Sequence, residues 1–211
     1  MVGTASQPRR DHDRDAPADN RSRDGGGMTL RVLAIAGSLR SGSYNRSLLR
    51  AAAELAPEGM AIEIFDLADV PLYNGDVEAI GDPPAVAALK EAIRAADGVL
   101  MATPEYNHGV PAVMKNAVDW ASRPPRNAPL AGKPVAVIGA SPGMTGTARG
   151  QSQLRQAFEF TASHAMAQPE LLVFRAHEKF DREGRLTDEA TRRRLGEFLA
   201  AFAAWIERMK D

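Results

Sequence analysis

Short continuous apolar runs alternate along the chain with stretches in which apolar residues recur at helical spacing. Val32–Ala36, Ala61–Phe65, Gly98–Ala102, Val135–Gly139 and Leu171–Phe174 are the runs. They read as strands, most of them too uniformly apolar to have a wet face. Between them the period lengthens. From Asn45 onward Leu48, Leu49, Ala52 and Leu55 fall on one helical face, and Val86, Leu89 and Ile93 do so within Pro84–Ala95. Pro111 suits a helix start ahead of Ala112–Trp120. After a loop at Ala140–Thr147 a long helix is predicted to about His164, and a last one over Asp188–Met209 with Leu195, Phe198, Leu199, Phe202 and Ile206 inward. Asp66–Gly81 is expected to be a loop. Strands alternating with helices predict an α/β fold with a doubly wound, five-stranded parallel sheet and helices on both faces.

Residues 1–27 break this rhythm. Five arginines interleave with five aspartates, almost nothing is apolar, and Gly25-Gly26-Gly27 closes the segment. Such a sequence buries too little to offset its ordering entropy, so a disordered tail is expected before a single domain at 28–211. Formal charge is −1, which argues against nucleic acid as an obligatory partner. The chain has no cysteine, so disulfides, thiolate metal sites and cysteine nucleophiles are excluded. No apolar run approaches a membrane span. A cytoplasmic protein without a membrane partner is expected.

The most informative connection lies between the first strand and the first helix. Gly37-Ser-Leu-Arg-Ser-Gly-Ser-Tyr-Asn45 is neither a Walker loop nor a Gly-x-Gly-x-x-Gly turn. Ser38, Ser43 and Asn45 offer neutral hydrogen-bonding groups, and Arg40 offers a planar cationic fork. With the positive end of a helix beside them, they suit a terminal phosphate monoester better than an internal pyrophosphate. One capping residue would suffice for a plain strand–helix turn; this loop holds several.

In doubly wound sheets, ligands sit beyond the carboxyl ends of the strands, where the strand order reverses. With the order 2-1-3-4-5, the loops after strands one and three flank that point. The second of them is Thr103-Pro104-Glu105-Tyr106-Asn107-His108-Gly109, and its backbone is placed to meet the edge of a flat heterocycle. After strand four, Ser141-Pro-Gly-Met-Thr-Gly146 has the small residues that let a backbone lie close to a ligand. Taken alone, each of these two loops is equally readable as a helix-entry turn.

These stretches carry a resemblance. GSLRSGSYN, PLYN at Pro71–Asn74, PEYNHGVPAVMKNAVDWASRP from Pro104 to Pro124, and GKPVAVIGASPGMTGTARGQSQLRQAF from Gly132 to Phe158 resemble the NAD(P)H-dependent FMN reductase family. That family has a flavodoxin-like fold and includes quinone, chromate and azo-dye reductases. The resemblance covers roughly residues 30–175 and implies FMN as cofactor with NAD(P)H as co-substrate. It implies that Ser38, Arg40, Ser43 and Asn45 hold the FMN phosphate, with Tyr44 in the same cofactor-binding set. It also implies that Pro104, Glu105, Tyr106 and Asn107 lie along the isoalloxazine, and that Ser141 and Gly143 approach it from the fourth loop. Gly146-Thr147 departs from the Gly-Gly of many relatives, which alters the expected contour of that wall.

The activity implied is electron transfer from a nicotinamide to a small-molecule acceptor: a quinone, azo compound, metal oxyanion or free flavin. Ping-pong kinetics are expected from one shared site, and a homodimer or dimer of dimers from the resemblance. The alternative is a flavodoxin-like electron carrier that never reacts with nicotinamide. Asp66, at the end of strand two, has no glycine fingerprint beside it and reads as a structural loop aspartate. His12, His164 and His177 lack metal-ligand spacing, and His108 and Arg149 read first as solvated. Trp120 reads as core or, through the resemblance, as an anchor on a dimer surface.

Overall fold

A computed structural model describes residues 29–210; the tail expected at 1–27 lies outside the described residues. The sheet is built on β1 (Leu30–Ala36), which pairs in parallel with β2 (Met60–Phe65) on one side and β3 (Gly98–Ala102) on the other. Next comes β4 (Pro134–Ala140), giving the order β2-β1-β3-β4. The fifth position is split. β5 (His164–Ala165) pairs with the start of β4, and β6 (Leu171–Val173) pairs with its end. The expected order 2-1-3-4-5 therefore holds, with two short strands where one was expected.

Side chains of β1 alternate between two cores. Val32 and Ala34 pack with α1 (Tyr44–Glu54) and α6 (Glu189–Arg208), through Leu48, Leu49, Leu195, Phe198 and Phe202. Leu33 and Ile35 pack against α3 (Pro84–Ala95), α4 (Ala112–Ala121) and α5 (Ala148–Thr161), through Leu89, Ile93, Met114, Val118, Leu154 and Phe158. The period-2 alternation of a strand thus supplies apolar surface to helices on opposite sides of it.

Two elements differ from the sequence reading. The segment expected as a loop at 66–81 contains a short helix, α2 (Gly75–Ile80), capped by Asn74, whose Oδ1 accepts the Asp76 N–H at 2.9 Å. It buries no residue, so no apolar stripe marks it. The helix expected to run to His164 ends at Thr161, where Ala162 turns left-handed with φ 55°, freeing His164 to join the sheet.

Trp120 is core. It is 0% exposed, and its indole N–H donates to the Pro71 carbonyl at 2.8 Å. One turn earlier on α4, Asn116 donates to the same carbonyl at 2.9 Å and accepts the Tyr73 N–H at 2.7 Å. PLYN and the helix behind it are therefore the two halves of one clamp, and Trp120 is not an exposed anchor.

Candidate functional site

The sheet register sets the site. Ala36 pairs with Ala102 and Ala102 with Ile138, so the chain leaves β1, β3 and β4 side by side. The order reverses between the adjacent strands β1 and β3, and this is where a doubly wound sheet opens a crevice. Gly37 lets the first two loops touch. Its N–H donates to the Ala102 carbonyl at 2.9 Å, and a Cβ there would lie 2.9 Å from Met114 Cβ and 3.1 Å from Pro104 Cδ.

A cleft of about 250 Å³ occupies the crevice. Of the residues singled out in the sequence, Ser38, Arg40, Ser43, Tyr44, Asn45, Pro104, Glu105, Tyr106 and Ser141 line it. Ala140 and Pro142 line it as well; nothing in the pattern marks Ala140, the last residue of a buried strand, whereas Pro142 sits inside the Ser141–Gly146 loop. Asn107 and Gly143 stand outside the lining. Asn107, with φ 52°, and His108, with φ 63°, form the exposed tip of a hairpin. Gly143 donates to Ser141 Oγ at 3.1 Å and accepts the Arg175 N–H.

The residues Ser38–Asn45 bring several donors to the lining of the cleft. The N–H groups of Tyr44 and Asn45 open α1 and have no intrahelical acceptor. Arg40 is exposed and makes no ion pair with a described residue. Ser38, 6% exposed, lines the cleft, and its hydroxyl has no hydrogen-bond partner among the described residues. Ser43 caps α1 by accepting the Arg46 N–H at 3.4 Å and keeps its own O–H proton to donate. A guanidinium, two hydroxyls and free helical N–H groups on residues that line one cleft fit a phosphate monoester.

Two polar side chains in the lining are already committed. Asn45, 3% exposed, donates from Nδ2 to the Ala140 carbonyl and accepts the Ala140 N–H on Oδ1, each at 2.9 Å. The Glu105 carboxylate, whose side chain is 8% exposed, accepts the N–H groups of Arg149 and Gly150 at 2.9 and 3.1 Å. The Arg149 guanidinium lies 3.4 Å from the same carboxylate. Both side chains shape the cleft by tying its loops to neighbouring elements.

Asp66, at the end of β2, pairs with Arg46 at 3.1 Å and accepts the Ala68 N–H, as a structural loop aspartate would. Among the described residues no cluster of His, Asp or Glu is arranged to hold a metal ion. A larger hollow of about 550 Å³ near the ends of α4 and α5 has no comparable donor set, because its Arg123 is spent on Glu78.

A parallel sheet ordered 2-1-3-4-5 with a polar cleft at its switch point is the architecture of the flavodoxin-like class. Within that class, residues 30–178 match the model of the NADPH-dependent FMN reductase family, and the chain belongs to that family of oxidoreductases. It is 50% identical over 181 residues to the NAD(P)H-dependent FMN reductase of Pseudomonas aeruginosa, covering 86% of this chain and 97% of that one. It is 42% identical over 180 residues to a 2-hydroxy-1,4-benzoquinone reductase of a Burkholderia species, covering 85% and 97%. Among solved structures, the flavoenzyme NAD(P)H:acceptor oxidoreductase of Paracoccus denitrificans superposes with a TM-score of 0.79 at 38% identity, covering 85% of this chain and 98% of that one.

Proposed function

We propose that this chain is an NAD(P)H-dependent quinone reductase that binds FMN in the cleft between the loops after β1, β3 and β4. The observation that carries this reading is the meeting, in one cleft, of the donor set at Ser38–Asn45 with the wall at Pro104–Tyr106. The names of the Pseudomonas and Burkholderia relatives support the reductant and the quinone class of acceptor. Azo compounds, metal oxyanions and free flavin are further acceptors this site is proposed to serve.

Each residue then has a task. Arg40 and the hydroxyls of Ser38 and Ser43 bind the phosphate with the first N–H groups of α1. Pro104, Glu105 and Tyr106, with Ser141 and Pro142 opposite, present backbone to the edge of the ring, and Asn45 and Glu105 fix the loops that do so. Asn107 and Gly143, outside the lining, serve through the backbone turns they occupy. FMN, when bound, supplies a ring that accepts a hydride from nicotinamide and returns two electrons to an acceptor.

Nicotinamide and acceptor are proposed to use the one cleft in turn, since the chain has a single phosphate-binding strand–loop–helix. The expected kinetics are ping-pong, with parallel double-reciprocal lines for NAD(P)H against quinone. Intersecting lines would contradict the shared site. An electron carrier of the same fold would instead bind FMN and leave NAD(P)H unoxidised.

The working unit is proposed to be a homodimer or dimer of dimers, for which the exposed Leu72, shortly before α2, and Ile80, at its end, offer apolar surface; sedimentation velocity measures it. Among the described residues no helix is long and apolar enough to cross a membrane. A cytoplasmic location is proposed, and fractionation tests it.

A further inference from the structure

The loop that walls the cleft is a small hairpin fastened to α5 from both of its arms. Tyr106 and Gly109 exchange both backbone hydrogen bonds, at 3.1 and 3.0 Å, around the left-handed pair Asn107-His108. This is the two-residue turn that matches strand twist. A hairpin this short has no stability of its own, so its position depends on what holds it.

On the incoming arm, Glu105 accepts the first N–H groups of α5, as described above. On the outgoing arm the direction is reversed. Val110 donates its N–H to Gln153 Oε1 at 2.6 Å, one turn further along α5. Gly150 between them lets the hairpin lie against the helix: a Cβ there would sit 3.2 Å from the Pro104 carbonyl and 3.4 Å from that of Gly109. Gln153 does not line the cleft, whereas Tyr106, half-exposed on the hairpin, does. With half its surface free, Tyr106 takes its place from the backbone that carries it.

We propose that Gln153 is a positioning residue for the reductase site: its bond to the Val110 N–H holds the Tyr106 wall at the distance and angle the ring requires. The proposal rests on the reductase reading above. Its chemical requirement is a hydrogen-bond acceptor at position 153. A carboxylate meets that requirement and would have Arg149 one turn before it, whereas an apolar side chain of similar size does not. Loosening a wall of a reacting site costs rate even where the fold survives, because reaction demands close alignment.

The test uses the FMN-loaded protein with Gln153→Leu and Gln153→Glu. Gln153→Leu is expected to keep its melting temperature near wild type and to speed amide exchange over residues 104–111. It should also lower quinone-reductase kcat, by about three- to tenfold for one lost hydrogen bond, while shifting the visible flavin spectrum. Gln153→Glu is expected to restore all three. The proposal is overturned if exchange over 104–111 is unchanged in Gln153→Leu, or if it rises while kcat and spectrum stay at wild-type values. It is also overturned if Gln153→Glu behaves like Gln153→Leu. Failure of the reductase reading looks different: a wild-type protein that takes up no FMN and oxidises no NAD(P)H, which ends both proposals.

Discussion

Asn45 and Ala140, 95 positions apart in sequence, exchange two hydrogen bonds of 2.9 Å between one side-chain amide and one residue's backbone. The first turn of α1 is thereby tied to the end of β4, joining two walls of the cleft. Asn45→Ala would orphan a buried N–H and a buried carbonyl, with an expected loss of roughly 2–5 kcal/mol of stability. Since geometry and not charge is lost, affinity for FMN and for riboflavin should fall together. Titration of both flavins, alongside denaturant melts, checks this; a loss confined to FMN would make Asn45 a direct phosphate ligand.

Arg40→Ala is expected to behave in the opposite way. Arg40 is exposed and without an ion pair among the described residues, so the fold does not depend on it. Loss of one charge-assisted contact to phosphate should weaken FMN binding about tenfold to a hundredfold. Riboflavin, which lacks the phosphate, should bind wild type and variant alike. Equal losses for both flavins would place the phosphate elsewhere.

The contrast between these two residues shows how far sequence could reach. The strand–loop–helix around Ser38–Asn45 was legible because its periodicity changes abruptly and its loop is rich in one kind of donor. What Asn45 does with its amide was not, because its partner is fixed by tertiary structure. The same holds for Glu105, whose carboxylate caps a helix 44 residues away. Helix α2 was hidden because six residues with no buried face leave no periodic signal. β5 was hidden because two residues are too few for any pattern, and the left-handed Ala162 that ends α5 carries no glycine to announce it. Register and pattern placed the cleft; the division of labour within it needed coordinates.

Thr147 holds a left-handed backbone, φ 73°, which favours glycine over a β-branched residue. It is 0% exposed and accepts a hydrogen bond from Gln151 Nε2 at 3.2 Å. Its hydroxyl covers Gly139, where a Cβ would fall 2.0 Å from Thr147 Oγ1 and 2.5 Å from the Thr103 carbonyl. Gly139→Ala should therefore cost roughly 1–3 kcal/mol by overpacking. Thr147→Gly removes one of the two clashes and about 1–3 kcal/mol of backbone strain, so the double variant should recover part of the loss. Full additivity in melts of the single and double variants would show that the two sites do not touch.

Glu78 fastens α2 to the rest of the molecule. Its carboxylate accepts the Tyr73 hydroxyl at 2.7 Å and meets Arg123 Nε at 2.9 and 3.0 Å. The Tyr73 hydrogen bond, aided by Arg123 against partial desolvation, holds its pKa below the ordinary 4.5. A depressed carboxylate stabilises the fold above its unfolded pKa, and that contribution is lost as pH falls through the folded value. Amide exchange over α2 should accelerate as pH drops below about 4.5, after correction for intrinsic rates, and Glu78→Gln should show that faster exchange already at neutral pH. Asp97, Asp181 and Asp188 are lowered too, so the difference between variant and wild type carries the test, not the wild-type slope alone.

The proposed function requires that this cleft bind FMN and let NAD(P)H reduce it. Anaerobic stopped flow on the FMN-loaded protein tests both halves in one trace. The visible flavin band should bleach on mixing with NADPH or NADH, much faster than free FMN under the same conditions, and a quinone added after the oxidised nucleotide is removed should restore it. A protein that retains no FMN, or one whose bound flavin keeps its colour with both nucleotides, is not an NAD(P)H-dependent FMN enzyme.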